Sequence, residues 1–312
     1  MALDPRARRL LDLLAASAQA PSRPETAEQR RSGLCQLATL AADRAPPAVK
    51  ATEMVIPGGD GAPLRLRGYR PPAQAGGPGG LIVYVHGGGW VGGDLETHDG
   101  VCQSIASASQ CAVLAVDYRR PPEHPCPAAI DDVLAALLWV ADHAAIFGAD
   151  PALVALAGDS AGANIAAAAC LTARKAPAIA LLVLICPILE IVPTRPSRRA
   201  FGEGFFLDPV RFAQDAADYA PGTAHDDPRV SPLCAKDLGG LPSTLIHVAE
   251  YDPFRDEGLV LAARLRQHGT PATAHVHAGM IHYFYGLPGI IPYARTALAQ
   301  IGTDIRSALE KV

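Results

Sequence analysis

Apolar positions along this chain follow two rhythms. Consecutive apolar residues recur at Leu81-Ile82-Val83-Tyr84-Val85, Ala112-Val113-Leu114-Ala115-Val116, Ala152–Ala157, Ala180–Ile185 and, with one histidine, Thr244–Ala249. Short unbroken runs of this kind belong to strands buried on both faces, as in parallel sheets covered by helices. Two further segments, 49–57 and 64–70, read as strands joined by the turn Gly58-Gly59-Asp60-Gly61, and a last strand is expected near 272–277. Helices are expected near 98–109 and 127–143 and over Ala163–Leu171, a run rich in good helix formers. Strands alternating with helices predict an α/β fold with a mostly parallel, eight-stranded sheet flanked by helices.

Two stretches depart from this rhythm. Residues 1–45 are rich in Ala, Leu and Arg and read as two helices around a Pro21–Pro24 break, stopped by Pro46-Pro47. A Pro/Gly loop at 71–80 is an ordinary connection, but 191–225 is too long for one. It carries Pro193, Pro196 and the aromatics Phe201, Phe205, Phe206 and Phe212. The expected organisation is a core of 46–190 and 226–312, with a helical cap or lid made of 1–45 and 191–225.

Composition narrows the setting. The 312 residues are 49% hydrophobic and 19% charged, with a formal net charge of −4, enough apolar material for a large core. Such mild acidity gives no reason to expect nucleic acid or an anionic membrane as a partner. No apolar run approaches the roughly 18 residues that a membrane span needs. Arg6, Arg8 and Arg9 before Leu10-Leu11, together with Ala18-Gln19-Ala20, imitate a secretory signal, but Asp12 interrupts the apolar part. Leu3, Leu10, Leu11, Leu13 and Leu14 instead fit one side of an amphipathic helix. The seven cysteines show no paired or metal-like spacing and are odd in number, so buried thiols in a cytoplasmic protein are expected.

Candidate chemistry centres on Gly158-Asp159-Ser160-Ala161-Gly162, between a predicted strand and a predicted helix. A serine flanked by glycines at such a corner is a nucleophile elbow: the turn is tight, and side chains two residues to either side would collide. A serine hydroxyl needs a base. Of the ten histidines, His282 lies just past the last predicted strand, where its loop can reach the same sheet edge as Ser160. His247, His275 and His277 sit within strands and read as structural. The base needs a carboxylate to hold its tautomer. Asp252 follows the strand 244–249; Asp256 suits a helix N-cap, and Asp117 precedes Ser160 in the chain. His86-Gly87-Gly88-Gly89-Trp90 follows the strand 81–85 and offers unobstructed backbone N–H groups to an oxyanion.

These motifs resemble the hormone-sensitive-lipase-like esterases of the α/β-hydrolase superfamily, called family IV among bacterial enzymes. The likeness runs over nearly the whole chain and includes Gly92-Gly93-Asp94, Asp117-Tyr118-Arg119, Pro122–Pro125, Asn164, Asp227–Pro232 and Tyr251–Glu257. It implies Ser160 as nucleophile, Asp252 as acid and His282 as base. It implies oxyanion donors from the N–H groups of Gly88, Gly89 and Ala161, with His86 supporting the loop. Trp90, Phe205, Phe206 and Ile281 are the expected lining of the substrate pocket. The resemblance further implies a helical cap, short acyl esters as substrates, no metal or other cofactor, and a homodimer through the last strand. Arg120-Pro121, Ala163 and Cys186 depart from the usual family residues without removing a catalytic atom. Action on amides or lactones through the same tetrahedral intermediate stays open, as does a non-catalytic small-molecule-binding module on the same fold.

Overall fold

A computed structural model describes residues 2–17, 25–43, 49–72, 79–173, 179–192 and 194–312. The Ala18-Gln19-Ala20 tract, the Pro21–Pro24 break, the stop at Pro46-Pro47, most of the 71–80 loop and Pro193 lie outside the described residues.

Every predicted strand forms, and together they make one eight-stranded sheet. The strands are β1 (Lys50–Pro57), β2 (Pro63–Arg70), β3 (Gly79–Val85), β4 (Ala112–Val116), β5 (Ala149–Asp159), β6 (Leu181–Ile185), β7 (Ser243–Tyr251) and β8 (Ala272–Ile281). Their order is β1-β2-β4-β3-β5-β6-β7-β8. β2 runs antiparallel to both β1 and β4, and every other neighbouring pair is parallel. The chain moves from β3 outward to β4 and then crosses to β5 on the other side of β3. That reversal opens a crevice at the carboxyl ends of β3 and β5, the usual place for a ligand in an open α/β sheet. Val85 pairs with Gly158 there, so the His86–Trp90 loop and the serine elbow leave the sheet side by side.

Alternation along each strand builds two cores. Leu81, Val83 and Val85 face one layer, and Ile82 and Tyr84 face the other. The first layer is covered by α4 (Ala128–His143), α5 (Ala161–Thr172) and α8 (Arg255–Gln267), the second by α3 (Asp99–Ser109) and α9 (Tyr293–Leu309). Burial on both faces is why the strands read as unbroken apolar runs.

Four helices come from the two stretches outside the alternating rhythm: α1 (Pro5–Ser17), α2 (Ala27–Ala41), α6 (Pro196–Phe201) and α7 (Pro209–Tyr219). Thr26 and Gln29 close a reciprocal cap at the start of α2, and Asp208 caps α7 through the N–H groups of Val210 and Arg211. Arg30 of α2 pairs with Asp215 and Asp218 of α7, and Arg211 of α7 donates to the Arg30 carbonyl at 3.0 Å. The buried side of α1 differs from the predicted one. Ala7, Leu10 and Leu11 are buried, whereas Leu13 is 61% exposed because it lies off to one side of the stripe they form.

Candidate active site

β5 ends at Asp159 and α5 begins at Ala161, which leaves Ser160 alone in the corner. Its backbone sits at φ 52°, ψ −116°, outside the regions that L-residues ordinarily occupy. Backbone bonds hold it there. Its N–H donates to the Ile185 carbonyl at 2.8 Å, and its carbonyl accepts from Asn164 at 3.2 Å and Ile188 at 3.3 Å. The glycines answer to collisions. A Cβ on Gly158 would come 2.6 Å from the Gly162 carbonyl group, and one on Gly162 would strike the carbonyl oxygens of Val85 and His86.

The three side chains singled out from the sequence meet at this corner. Ser160 Oγ lies 2.9 Å from His282 Nε2, and His282 Nδ1 lies 2.8 Å from Asp252 Oδ2. Asp252 Oδ1 accepts from the Phe254 N–H at 2.8 Å. Since Nδ1 donates to the carboxylate, Nε2 is left as the acceptor that faces the hydroxyl. β6 and β7 lie between β5 and β8, so the segment after Ile281 folds back across the strand ends to bring His282 over Ser160. Ser160 is 6% exposed and Asp252 is fully buried.

Asp256 does not cap its own helix. α8 starts at Arg255, and Asp256 instead accepts from the backbone N–H of Ser197, at the start of α6, at 2.9 Å. Its carboxylate fills a cap position on a helix distant in sequence. Asp117 sits near Arg65 and Arg120, where burial pushes its carboxyl up. Cys186 lies beneath the triad, with ligand atoms of Cys186, Asp252 and His282 all within 4.8 Å of one another. Burial, then the neighbouring Asp252 charge, pushes its thiol well above the usual range. Both ring nitrogens of His282 are already engaged, one by Asp252 and the other by Ser160, with the Cys186 thiol close by.

The glycine loop presents free donors beside the serine. Gly88 and Gly89 have φ 123° and 62°, and their N–H groups, like that of Ala161, donate to nothing among the described residues. Their carbonyls are engaged: Gly88 O accepts from Gly92 at 2.8 Å and Gly89 O from Val91 at 2.7 Å. His86 stacks on Tyr118 with ring centres 4.2 Å apart, and its Nδ1 meets Gly87 O at 2.9 Å. Burial, then the neighbouring His98, lowers His86 to about 3. A ring so held is neutral near pH 7.

Two of the four expected pocket residues lie elsewhere. Trp90 exposes no surface; it stacks on Tyr219 of α7 with ring centres 4.8 Å apart and donates Nε1–H to Asn164 at 3.2 Å. Ile281 is also fully buried, in the core on the α3/α9 side of the sheet. Neither borders open space. Phe206 stacks on Tyr283, the residue after His282, and lines a cavity of about 420 Å³ with Leu11, Leu207 and Val210. Phe205 stacks on Tyr251 and packs edge-on to Phe201.

Several residues that shape the site carry little signal in sequence. Arg31 of α2 grips the glycine loop through Val91 O at 2.9 Å and reaches Pro121 O and Glu123. Asp215 of α7 stands directly against Gly89. Arg198 of α6 pairs with the wholly buried Glu257 at 2.7 Å. Asp159 is fully buried inside the elbow itself. Only Asp159 was detectable, as a lone charge closing an apolar strand, which demands partners.

Comparison with known proteins agrees with this geometry. A family model described as an alpha/beta hydrolase fold matches residues 82–286. The carboxylic ester hydrolase LipN of Mycobacterium tuberculosis is 40% identical over 248 residues, covering 77% of this chain and 65% of LipN, so the chain spans just under two thirds of that relative's length. The esterase LipI of the same organism is 38% identical over 258 residues and 80% of each chain. Among solved structures, the ester-hydrolase EH1AB1 from the metagenome of Lake Arreo, complexed with a derivative of bipyridine phosphonate, superposes with a TM-score of 0.91 at 36% identity over 98% of both chains. The chain therefore belongs to the α/β-hydrolase family, among its hormone-sensitive-lipase-like carboxylic ester hydrolases.

Proposed function

We propose that this protein hydrolyses short- to medium-chain acyl esters through an acyl-enzyme, with Ser160 as nucleophile, His282 as base and Asp252 as its carboxylate. The observation that carries the reading is the chain of short contacts from Ser160 Oγ to His282 Nε2 and from His282 Nδ1 to Asp252. Ser160 Oγ attacks the ester carbonyl carbon as its proton passes to His282 Nε2. The carbonyl π pair moves onto oxygen, where the N–H groups of Gly88, Gly89 and Ala161 receive the charge. On collapse the C–O bond to the alcohol breaks, and His282 returns the proton to that oxygen. Water then loses a proton to His282 and attacks the acyl carbon. Ser160 departs with the proton held by the imidazole.

One feature supports a modest acyl length. A largely apolar cavity of about 550 Å³, lined by Ile191, Leu207, Phe212, Ala216 and Phe254 with Arg198 at its wall, adjoins His282 through the Phe254 ring. Its walls come from both 191–225 and the 226–312 part of the core. This supports the division into a core of 46–190 and 226–312 and a cap of 1–45 and 191–225 that closes over the substrate. All seven cysteines are unpaired, which supports a cytoplasmic setting. The edge strand β8, with Val276 41% exposed, is the proposed face for a homodimer.

The test is a series of p-nitrophenyl esters from acetate to dodecanoate, run beside covalent labelling by a serine-directed phosphonate. The reading expects label on Ser160, activity abolished in Ser160→Ala, and a rate maximum at short to medium chains. Undiminished hydrolysis by Ser160→Ala would end it.

A further inference from the structure

We propose that Asp159 is a positioning residue that locks the nucleophile elbow, the oxyanion loop and the histidine loop into one frame. The inference rests on reading Gly88 and Gly89 as oxyanion donors. The Asp159 carboxylate is fully buried and accepts four bonds. Oδ1 accepts from the Tyr84 hydroxyl at 2.8 Å and the Gly87 N–H at 3.0 Å; Oδ2 accepts from the Tyr285 hydroxyl at 2.8 Å and faces His98 Nε2 at 3.3 Å. Those four partners use all the acceptor sites that a carboxylate offers.

The partners are not scattered. Asp159 precedes the strained Ser160. Gly87 precedes Gly88, Tyr285 stands three residues after His282, and Tyr84 is the last but one residue of β3. One carboxylate thus joins the elbow, the glycine loop and the segment that follows His282. At Gly87 the fixation is complete. Its N–H is bonded to Asp159 and its carbonyl to His86 Nδ1 at 2.9 Å, so the plane of the next peptide cannot rotate. In a trans peptide the N–H points opposite the carbonyl, so turning Gly87 O toward His86 sends the Gly88 N–H the other way. That donor is aimed by two bonds at once, the His86 contact on its own peptide and the Asp159 contact that anchors the peptide before it.

There is no space for adjustment. A Cβ on Gly87 would run into the same carboxylate. Despite full burial, the carboxyl is held below its usual value by His98 and by bonds from His98, Tyr84 and Tyr285. It is an anion at working pH, and charge-assisted bonds hold geometry more firmly than neutral ones.

The test replaces Asp159 by Asn, which keeps the shape but turns an NH2 group toward two donors. Active sites are counted with a serine-directed phosphonate, and rates are expressed per titrated site. Misplacing reacting groups by about 1 Å costs on the order of 10²-fold. Asp159→Asn is expected to lose about that much kcat with KM within about threefold. Affinity for an aryl trifluoromethyl ketone, which forms an oxyanion on Ser160, should fall in parallel, while binding of the matching methyl ether should not. A merely structural role would lower thermal stability and leave kcat per site intact; kcat within about threefold of the parent overturns the proposal. Should Asp159→Asn fail to fold, Tyr285→Phe keeps the carboxylate and removes one bond. It is expected to lower kcat several-fold at constant KM, and unchanged kcat overturns the proposal. Ser160→Ala run in parallel separates the two readings, because activity surviving there would refute the serine mechanism and not the frame.

Discussion

The guanidinium of Arg198 lies 4.1 Å over the ring of Phe254, and that ring meets the imidazole of His282 edge-on, with ring centres 5.2 Å apart. The same guanidinium covers Phe212 of α7 at 4.6 Å and pairs with Glu257 of α8. Glu257 is wholly buried and also accepts from the N–H groups of Leu189 and Glu190 at 2.6 and 2.9 Å. One side chain of α6 therefore braces the ring that stands behind the His282 imidazole. Arg198→Met would keep the apolar contacts and strand the carboxylate. Removing one partner of a buried pair costs about 3–5 kcal/mol, so urea unfolding should shift by that amount. Burial already pushes Glu257 up to about 7 against the pull of Arg198. A carboxyl raised in the folded state favours folding while protonated, and that contribution is lost as pH rises through its folded value. The deficit of Arg198→Met should thus be larger at about pH 8 than at about pH 5.5.

The elbow glycines make a sharper prediction. The Cβ of Gly162→Ala would enter the space of the Val85 and His86 carbonyl oxygens, both main-chain atoms of the β3 end, which cannot swing aside. Either the His86–Trp90 loop or α5 must move. We expect loss of more than about 4 kcal/mol of stability, the range reserved for severe core disruption, or loss of soluble protein. Ala163→Gly, one residue further along α5, adds no atom and should cost about 1 kcal/mol. Thermal unfolding of both variants decides it.

What could be read from the chain and what could not divide along a physical line. The elbow was legible because its glycines answer to main-chain collisions within a few residues of the turn, and the strands because burial on both faces removes polar positions. Asp252 and His282 were legible because strand ends of a parallel sheet gather at one edge. Trp90 was misplaced because its environment is set by Tyr219, more than a hundred positions away on α7. Asp256 was misplaced for the same reason: the helix it caps is α6, not its own. Leu13 reads as buried when the five leucines are taken as one stripe, whereas in α1 only Ala7, Leu10 and Leu11 turn fully inward. Contacts made by folding across distant segments leave no periodic trace.

Two buried histidines predict acid sensitivity. His247 Nδ1 and His277 Nε2 are 3.2 Å apart, with His277 Nδ1 at 3.3 Å from the Tyr293 hydroxyl. His275 and, at 3.7 Å from His247 Nε2, Asp304 are the other ionisable neighbours. Burial, reinforced by the neighbouring rings, lowers His247 to about 3 and His277 to about 4. An unfolded histidine takes up its proton near 6.5, so the unfolded chain gains protons first as pH falls. The stability this pair contributes is fully present above about pH 6.5 and is lost as pH drops toward about 4. His277→Gln should flatten the decline in melting temperature over that window. Comparing it with the parent isolates the pair from Glu257 and Asp215, whose raised carboxyls act in the opposite direction.

The sharpest distinction lies between two carboxylates four positions apart. Asp252 faces the Nδ1–H of His282. In Asp252→Asn an amide NH2 turned toward that nitrogen would favour the other tautomer. Nε2 would then carry the proton and could not accept one from Ser160. The fold should survive, since the change is isosteric, while turnover should fall roughly 10⁴-fold, as expected when a catalytic imidazole is held in the wrong tautomer. Asp256→Asn disturbs a different object. It weakens the acceptor for the Ser197 N–H and for Arg255, loosening the start of α6 by about 1 kcal/mol, the usual worth of a helix cap. Its kcat on p-nitrophenyl acetate should stay within about threefold of the parent, with the loss appearing in thermal stability. Measuring kcat and melting temperature for both variants separates the assignments, because a catalytic acid and a helix cap fail in different observables. Near-normal turnover in Asp252→Asn together with collapse in Asp256→Asn would move the acid role to Asp256 and require the His282 ring to turn away from the bond it makes here.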